Sequence, residues 1–321
     1  MTRRQGSGQA SDLVQRLLAG DRWALTRVLT FVENGYPEGR QALGELFSHT
    51  GRAHIVGITG PTGCGKSTLA GALAREYRRR GAKVGIVAVD PTSPFSHGAL
   101  LGDRIRMQDL TSDPGVFIRS MATRGALGGL AVATNDVVTV LDAAGEDVVL
   151  VETVGAGQDE VEIADTAHTT VVINIPGAGD DMQAIKAGIL EIADILVVNK
   201  ADQPAAESVY KQLHIFMDLA RNEGWEVPIL KTAAHKEQGI VELLEAVSRH
   251  RAYLTESGRL EEMRRHRARR QLLSVAQRML LEGVLAQARE NGRLEELVEA
   301  IAARELDPHT AAARLIGGAA Q

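Results

Sequence analysis

The octapeptide Gly60-Pro61-Thr62-Gly63-Cys64-Gly65-Lys66-Ser67 is the strongest indication of how this chain folds. It follows the apolar run 54–59 and precedes a stretch of helical periodicity, so it joins a predicted strand to a predicted helix. Its glycines let the backbone curl until several N–H groups converge on phosphate oxygens, and the helix beyond adds a positive dipole. We predict a triphosphate site in which Lys66 neutralises the β- and γ-phosphates, the Ser67 hydroxyl ligates Mg²⁺ and Thr68 faces the α-phosphate. Cys64 is expected to contribute its backbone N–H, and redox control through its thiol stays open.

Short apolar runs recur around this loop, with amphipathic stretches between them. The runs are 54–59, 83–89, 116–119, 148–152, 170–175, 195–199 and 228–231. Continuous Val- and Ile-rich runs are typical of strands covered on both faces. Their alternation with helices predicts an α/β fold, a doubly wound and mostly parallel sheet of the P-loop NTPase type. Ligands bind such sheets at the carboxyl ends of the strands, which is where the motifs below lie.

Helical spacing without strands extends both ends of the chain. We predict an N-terminal helical extension over 1–50, within which residues 1–10 are disordered, a P-loop domain over 51–250 and a C-terminal helical region over 251–321. In the last region the predicted helices cover 259–287 and 294–306. No internal repeat interrupts this organisation.

Composition narrows the classes of function. The chain has 321 residues, a net charge of −5 and one cysteine. The charge gives no overall reason to bind nucleic acid or an anionic membrane, and no segment approaches the ~20 apolar residues of a membrane span. A single cysteine cannot form an internal disulfide, which fits a reducing compartment, so a cytoplasmic location is expected.

The motif Asn199-Lys200-Ala201-Asp202 ends another predicted strand and points to the base. A carboxylate at Asp202 can accept hydrogen bonds from guanine N1 and its exocyclic amine, a donor pair that adenine lacks. Asn199 can reach N7, and the Lys200 stem can lie over the base plane. The backbone N–H of Ala234 is a candidate donor to guanine O6. Together these residues predict selection of GTP and GDP.

Acidic residues at three places are candidates for the metal shell and the switches. Asp90 ends a strand that we expect next to the strand of the phosphate loop, and Asp103 lies in a Gly-rich loop, where a helix N-cap is the alternative role. Glu152 occupies the place of the usual switch aspartate, with the Gly155 N–H sensing the γ-phosphate. Ala156 stands where Ras-like enzymes orient water with Gln. We therefore predict slow GTP hydrolysis that needs a partner.

A glycine-rich acidic loop contains Asp180 and Asp181, and Lys186 follows it. From spacing alone it is either a third switch or a simple turn with an N-cap.

Several long segments together resemble the MeaB/ArgK GTPases. They are Asp90–Ser96 (DPTSPFS), Leu101–Met107 (LGDRIRM), Thr123–Gly129 (TRGALGG), Glu152–Gln158 (ETVGAGQ) and Gly179–Gly188 (GDDMQAIKAG). The resemblance extends in order over about residues 12–255, and more loosely over the helical tail. It places the chain among the SIMIBI-type GTPases that handle metals and cofactors. Thr62 departs from the family's usual second proline, and His97 from its usual glycine.

The resemblance implies a function, a partner and an assembly. Members act as GTP-driven chaperones that gate cofactor loading and protect an adenosylcobalamin-dependent acyl-CoA mutase, most often methylmalonyl-CoA mutase. They are homodimers whose C-terminal helices form the contact. The match gives Asp90, Asp103 and Glu152 the metal and switch roles, and it assigns Lys186 to a third switch that signals to the mutase. Which mutase is the client stays open.

Two other functions compete with this one. A nickel-insertion GTPase usually carries a His- or Cys-rich metal site, whereas here the nine histidines are scattered and the cysteine is in the phosphate loop. A kinase would need to tolerate ATP, against which Asp202 argues. GTP-over-ATP preference separates the kinase from the GTPases, and a bound-metal assay separates the two GTPases.

Overall fold

Seven parallel strands form one sheet in the computed structural model, which describes residues 3–91, 107–123, 129–153, 159–176, 187–219 and 224–317. Their order is β3-β2-β4-β1-β5-β6-β7. The strands are β1 His54–Thr59, β2 Val84–Pro91, β3 Val116–Thr123, β4 Val148–Glu152, β5 Thr169–Asn174, β6 Ile195–Val198 and β7 Ile229–Lys231. All strand pairs are parallel, so every carboxyl end lies at the same edge of the sheet.

Helices connect and flank the strands. The described helices are α1 Arg3–Leu18, α2 Arg22–Glu33, α3 Pro37–Leu46, α4 Lys66–Arg79, α5 Gln108–Thr111, α6 Gly129–Ala143, α7 Asp159–Thr166, α8 Ala187–Glu191, α9 Ala206–Leu219, α10 Ile240–Glu256, α11 Arg259–Glu290, α12 Arg293–Ala302 and α13 Pro308–Gly317. Short 3₁₀ turns cover Phe47–His49 and Ala234–Lys236. Within the described ranges no helix combines the length and apolar character needed to cross a lipid bilayer.

The core lies on both faces of the sheet, which is why the strands are apolar along their whole length. Every residue of β1, β4, β5 and β6 is buried. On one face, side chains of α4 and α10 such as Leu73 and Leu243 pack against Ile58 and Leu150. On the other face the N-terminal helices and α6 contribute to a second cluster.

The N-terminal helices share this second cluster with the sheet. Leu17 and Leu29 are fully buried in it together with Val87 and Val149 of the strands. Asp21 caps α2 by accepting hydrogen bonds from the backbone N–H groups of residues 23 and 24. A hydrogen bond from Arg16 is the main reason that the pKa of the Asp21 carboxyl lies below its usual range. The chain divides into two compact units, residues 1–265 and 266–321. The second unit consists of the rest of α11 with α12 and α13.

The doubly wound α/β fold is confirmed, with all seven strands parallel rather than most of them. The strand boundaries agree with the apolar runs to within a few residues, and the largest difference is β3, which continues to Thr123. The composition of residues 1–10 predicts disorder, but α1 begins at Arg3, because Leu13 and Leu17 bury its later turns and the helix extends backward from them. The helix α13 was also not predicted.

Candidate nucleotide-binding site

The phosphate loop connects β1 to α4, as the octapeptide predicts. Gly65 precedes α4 with a φ of 95°, in the left-handed region that glycine adopts without strain. Gly60 lies so close to the Ile173 carbonyl that a Cβ there would overlap it. Both positions therefore require glycine, the first for backbone conformation and the second for close packing on β5. The first-turn N–H groups of α4 have no partner within an isolated helix, which gives this end the character of an anion site.

Lys66 and Ser67 open α4 and are both buried. The Lys66 ammonium donates to the backbone carbonyls of Gly60 at 2.8 Å and Pro61 at 3.2 Å, so it lies inside the curl of the loop. The Ser67 hydroxyl donates to Glu152 Oε1 at 2.6 Å. The predicted metal ligands Ser67 and Glu152 are thus in direct contact although 85 residues separate them.

Two threonines support this end of β4 and were not predicted. Thr153 follows Glu152, and its hydroxyl donates to the Thr59 hydroxyl of β1 at 3.0 Å. Both side chains are buried. The bond holds the segment that leaves β4 against the strand that leads into the phosphate loop, and so places Glu152 opposite Ser67.

Asn199 connects the phosphate loop to the base side of the site through side-chain hydrogen bonds. Its Nδ2 donates to the Cys64 carbonyl at 2.8 Å, and its Oδ1 accepts from the Thr232 hydroxyl at 3.0 Å and from the Ala234 N–H at 3.2 Å. An amide nitrogen has two donors, so one remains for guanine N7. The predicted contacts of Asn199 with N7 and of Ala234 with O6 stay predictions.

Lys200 has a φ of 56°, which is uncommon for a residue other than glycine. Its ammonium donates to the Gly63 carbonyl at 2.9 Å. The side chain consequently reaches from the base motif to the phosphate loop, and the predicted stacking of its stem on the base stays a prediction. Lys200 and Asn199 together connect the two predicted motifs through two successive carbonyls of the loop, those of Gly63 and Cys64.

Asp202 lies at the rim of the base side, and Lys236 and His235 face it. The Lys236 ammonium is 2.8 Å from Asp202 Oδ2, and His235 Nε2 is 3.4 Å from the same oxygen. The hydrogen bond from Lys236 is the main reason that the pKa of Asp202 is lowered. The carboxylate is therefore ionised at neutral pH, as acceptance from two guanine donors requires. Sequence reasoning missed both neighbours because basic residues in a loop carry no local signal.

Cys64 is buried within the loop, and burial raises the pKa of its thiol to about 11. The thiol is thus neutral, and the carbonyl of Cys64, rather than its sulfur, makes the contact with Asn199. This agrees with a space-filling role for the side chain.

Several predicted site residues lie outside the described residues: Asp103, Gly155, Asp180, Asp181 and Lys186. For Asp90 the structure describes the backbone, at the end of β2, but not the side chain. The prediction that this strand lies next to β1 is wrong, because β4 is inserted between β2 and β1 and pairs with both. Among the described residues no three His, Cys, Asp or Glu side chains gather as a metal-binding group.

Comparison with known proteins gives consistent matches. The family model described as "Methylmalonyl Co-A mutase-associated GTPase MeaB" matches residues 25–289. A protein of Pyrococcus abyssi whose name describes it as a GTPase is 48% identical over 315 residues, covering 96% of this chain and 97% of its own. GTPase ArgK of Escherichia coli is 33% identical over 309 residues, covering 94% and 93%. A crystal structure titled "LAO/AO transport system kinase" has a TM-score of 0.72 and 28% identity, with 98% of each chain covered.

Proposed function

This chain belongs to the family of methylmalonyl-CoA mutase-associated GTPases, and from that premise we propose that it is a GTP-driven chaperone of an adenosylcobalamin-dependent acyl-CoA mutase. It hydrolyses GTP to GDP and phosphate. In the proposed role the GTP cycle gates loading of the mutase cofactor and protects the mutase from inactivation. The observation that carries the proposal is the family match over 25–289, which includes the phosphate loop, Glu152 and the base motif.

The phosphate end of the site fits a magnesium ion. Hydroxyl and carboxylate oxygens are the ligands that Mg²⁺ prefers, and Ser67 Oγ lies 2.6 Å from Glu152 Oε1 at the start of the helix that faces the phosphates. We assign Ser67, Glu152, Asp90 and Asp103 to the metal and its water shell. When bound, the ion would neutralise charge on the β- and γ-phosphates. The protein itself supplies the Lys66 ammonium and the convergent N–H groups of the loop.

Nucleotide binding tests the magnesium assignment directly. For the wild type we expect GTP affinity to fall when EDTA removes Mg²⁺. In Ser67→Ala that difference should shrink to less than about threefold, because the first metal ligand is absent. Ser248→Ala is a matched control, since the Ser248 hydroxyl donates to its own helix at Leu244. A Ser67→Ala variant with the full wild-type magnesium dependence contradicts the assignment.

The base side of the site is proposed to select guanine through Asp202. Asp202→Asn replaces one acceptor oxygen by a donor, which faces the donors of guanine. We expect the preference for GDP over IDP to fall at least about tenfold, since IDP lacks the exocyclic amine. Competition with a fluorescent GDP measures both affinities. An unchanged ratio contradicts the assignment of Asp202.

The client is proposed to be a mutase because the family name describes a mutase-associated GTPase. We expect purified methylmalonyl-CoA mutase with adenosylcobalamin to raise the GTP turnover of the chain at least about tenfold, by completing a site that lacks the usual water-orienting Gln. The same mixture should prolong mutase activity during turnover. Lys66→Ala should remove both effects, whereas Lys211→Ala, at an exposed position of α9, should keep them. Equal turnover with and without mutase contradicts the proposal for this client.

The chain is proposed to form a homodimer through its C-terminal helices. Within α11, Leu272 and Leu280 are 69% and 71% exposed, and Leu273 and Met279 are also exposed. The pairs 272/279 and 273/280 are seven residues apart, so they lie on one face of the helix with the repeat of a helix–helix seam. A repeating apolar seam is self-complementary, which a twofold dimer requires.

Light scattering after gel filtration tests the dimer. We expect the mass of the wild type to be about twice that of one chain, and Leu273→Lys/Leu280→Lys to give a monomer. Leu281→Lys is the control, because Leu281 is outside both pairs and less exposed. A wild-type monomer, or a dimer that survives the double substitution, contradicts the proposal.

A further inference from the structure

The loop 232–239 that carries Ala234 is closed at its base and exposed at its tip. Ala233 and Gln238 exchange backbone hydrogen bonds at 3.1 and 3.3 Å across the base of the loop. The tip is the 3₁₀ turn Ala234–Lys236 followed by Glu237. The Ala234 N–H faces Asn199 on one side, and Lys236 contacts Asp202 on the other. The position of this tip therefore affects both predicted contacts with guanine.

The Glu237 side chain anchors the tip to α4. Its Oε1 accepts from Arg75 Nε at 2.7 Å, and its Oε2 accepts from Arg79 Nη2 at 2.6 Å. Charge-assisted hydrogen bonds of this length are the stronger kind. The bonds from Arg79 and Arg75 lower the pKa of Glu237, so the carboxylate is charged at neutral pH. We call these three residues the arginine clamp.

The same helix begins with the phosphate-binding residues, so the clamp connects the two halves of the nucleotide site. α4 starts at Lys66, and Arg75 and Arg79 lie on its later turns, one turn apart. Arg75 also contacts Asp109 Oδ2 through Nη1 at 2.9 Å. Asp109 belongs to α5. A single guanidinium thus bridges α5 and the base loop while fixed to the phosphate helix.

The backbone conformation of Glu237 is one that side-chain contacts must hold in place. Glu237 has a φ of 55°, a left-handed conformation that is unfavourable for a residue other than glycine. At the tip Ala234 is buried, whereas His235 and Lys236 are exposed and supply no apolar anchor. The contacts of Glu237 with Arg75 and Arg79, together with that of Lys236 with Asp202, oppose relaxation of Glu237 toward an ordinary conformation.

We propose that Arg75, Arg79 and Glu237 are positioning residues for guanine selection, because they hold the loop 232–239 against the phosphate helix. The proposal rests on the proposed base site at Asp202. When the clamp is broken, the tip relaxes and Lys236 and the Ala234 N–H shift relative to Asp202 and Asn199. The shift of Ala234 weakens the contact with O6, which guanine and hypoxanthine share, whereas the shift of Lys236 changes how Asp202 faces the exocyclic amine, which only guanine carries.

Glu237→Gln tests the clamp with little change of shape. The variant keeps one acceptor and loses the charge, so both arginine contacts weaken. We expect the dissociation constant for GDP to rise about threefold to tenfold, as for a partly exposed charge-assisted pair, with a smaller change for IDP. For GTP hydrolysis KM should rise while kcat stays within about twofold. A merely structural residue would lower stability without changing the GDP-to-IDP ratio.

Asp113→Asn is the matched control. Asp113 accepts a hydrogen bond from Arg78 Nε at 3.0 Å. Arg78 lies on the same helix α4 as the arginine clamp, and the Asp113 side chain is about as exposed as that of Glu237. Asp113, however, belongs to the segment before β3 and not to the base loop. We expect this variant to lose thermal stability comparable to Glu237→Gln and to keep the wild-type GDP-to-IDP ratio. Glu237→Asp should recover part of the wild-type ratio, since the charge is retained.

The outcomes separate this inference from the proposed base site. If Asp202→Asn abolishes guanine preference and Glu237→Gln leaves the GDP-to-IDP ratio at the wild-type value, the clamp proposal is overturned and the base site stands. If Asp202→Asn leaves the ratio intact, the base site itself is wrong, and the inference falls with it. The clamp is supported if Glu237→Gln and Arg75→Gln each reduce the GDP-to-IDP affinity ratio. It is supported further if the double variant reduces the ratio by less than the sum of the two single effects in free energy.

Discussion

Replacing Asn199 by alanine is expected to destabilise the whole sheet edge at the nucleotide site. The side chain is buried, and it makes three hydrogen bonds, with Cys64 O, Thr232 Oγ1 and Ala234 N. The alanine leaves one acceptor and two donors buried without this partner. Each such loss costs about 1 kcal/mol, and the weakest of the three, at 3.2 Å, costs less. The expected loss in the free energy of unfolding is about 2–4 kcal/mol, a large part of the 5–15 kcal/mol typical of a domain.

Urea unfolding followed by circular dichroism measures this loss. The experiment is performed without nucleotide, because a ligand that binds the folded state adds its own stabilisation. Thr232→Val removes only one of the three bonds and should cost about 1 kcal/mol. In the double variant Asn199→Ala/Thr232→Val the losses should not add, and the cycle should give a coupling of about 1 kcal/mol.

Either of two results would contradict the predicted role of Asn199. A loss below about 1 kcal/mol in Asn199→Ala shows that the buried groups find other partners. An additive cycle shows that the Thr232 hydroxyl and the Asn199 amide do not stabilise each other despite the 3.0 Å contact.

Further predictions concern groups whose pKa values are shifted by burial. Burial raises the pKa of Glu146 to about 7, so the folded state binds this proton more tightly than the unfolded state does. The free energy of unfolding should therefore fall between about pH 4.5 and 7. Glu146→Gln should remove about 1–2 kcal/mol of that fall, measured by urea titrations at several pH values. Burial raises the pKa of Asp194 to about 7 and lowers that of its neighbour His250 to about 4, and these opposite slopes nearly cancel. Asp194→Asn should therefore reveal stability that increases by about 2 kcal/mol from pH 4 to 6.5, and a flat profile would contradict the assignment. Cys64 should react with Ellman's reagent only in denaturant, and rapid reaction of the folded protein at pH 8 would show that the loop opens.

The two motifs of the site could be located from the sequence because each is a local pattern. Glycines at fixed spacing permit the curled loop, and an apolar run before them marks the strand, so both signals lie within a few residues of each other. The direct contact of Ser67 with Glu152 follows from topology, because parallel strands bring their carboxyl ends to one edge. The family resemblance added the partner, which no local pattern describes.

Hydrophobic periodicity did not predict the start of α1 or the helix α13, because packing in the folded chain determines where these helices form. The polar residues at the start of α1 have low helical preference as a group, yet the helix reaches Arg3 because its later turns are buried. Helix α13 is short and gave no clear periodic signal between Pro308 and Gly317.

The order in which a phosphate loop, a carboxylate at Glu152 and a guanine motif follow strand ends can be read from the sequence, since spacing along the chain is a covalent property. Tertiary structure decided which side chains meet. Glu237 is 162 residues from Arg75, and Asn199 is 135 from Cys64, so nothing in either neighbourhood indicates the contact. Such pairs form because the order of strands in the sheet brings α4 beside the loop after β7, and that order is set by the burial of whole elements rather than by any short segment.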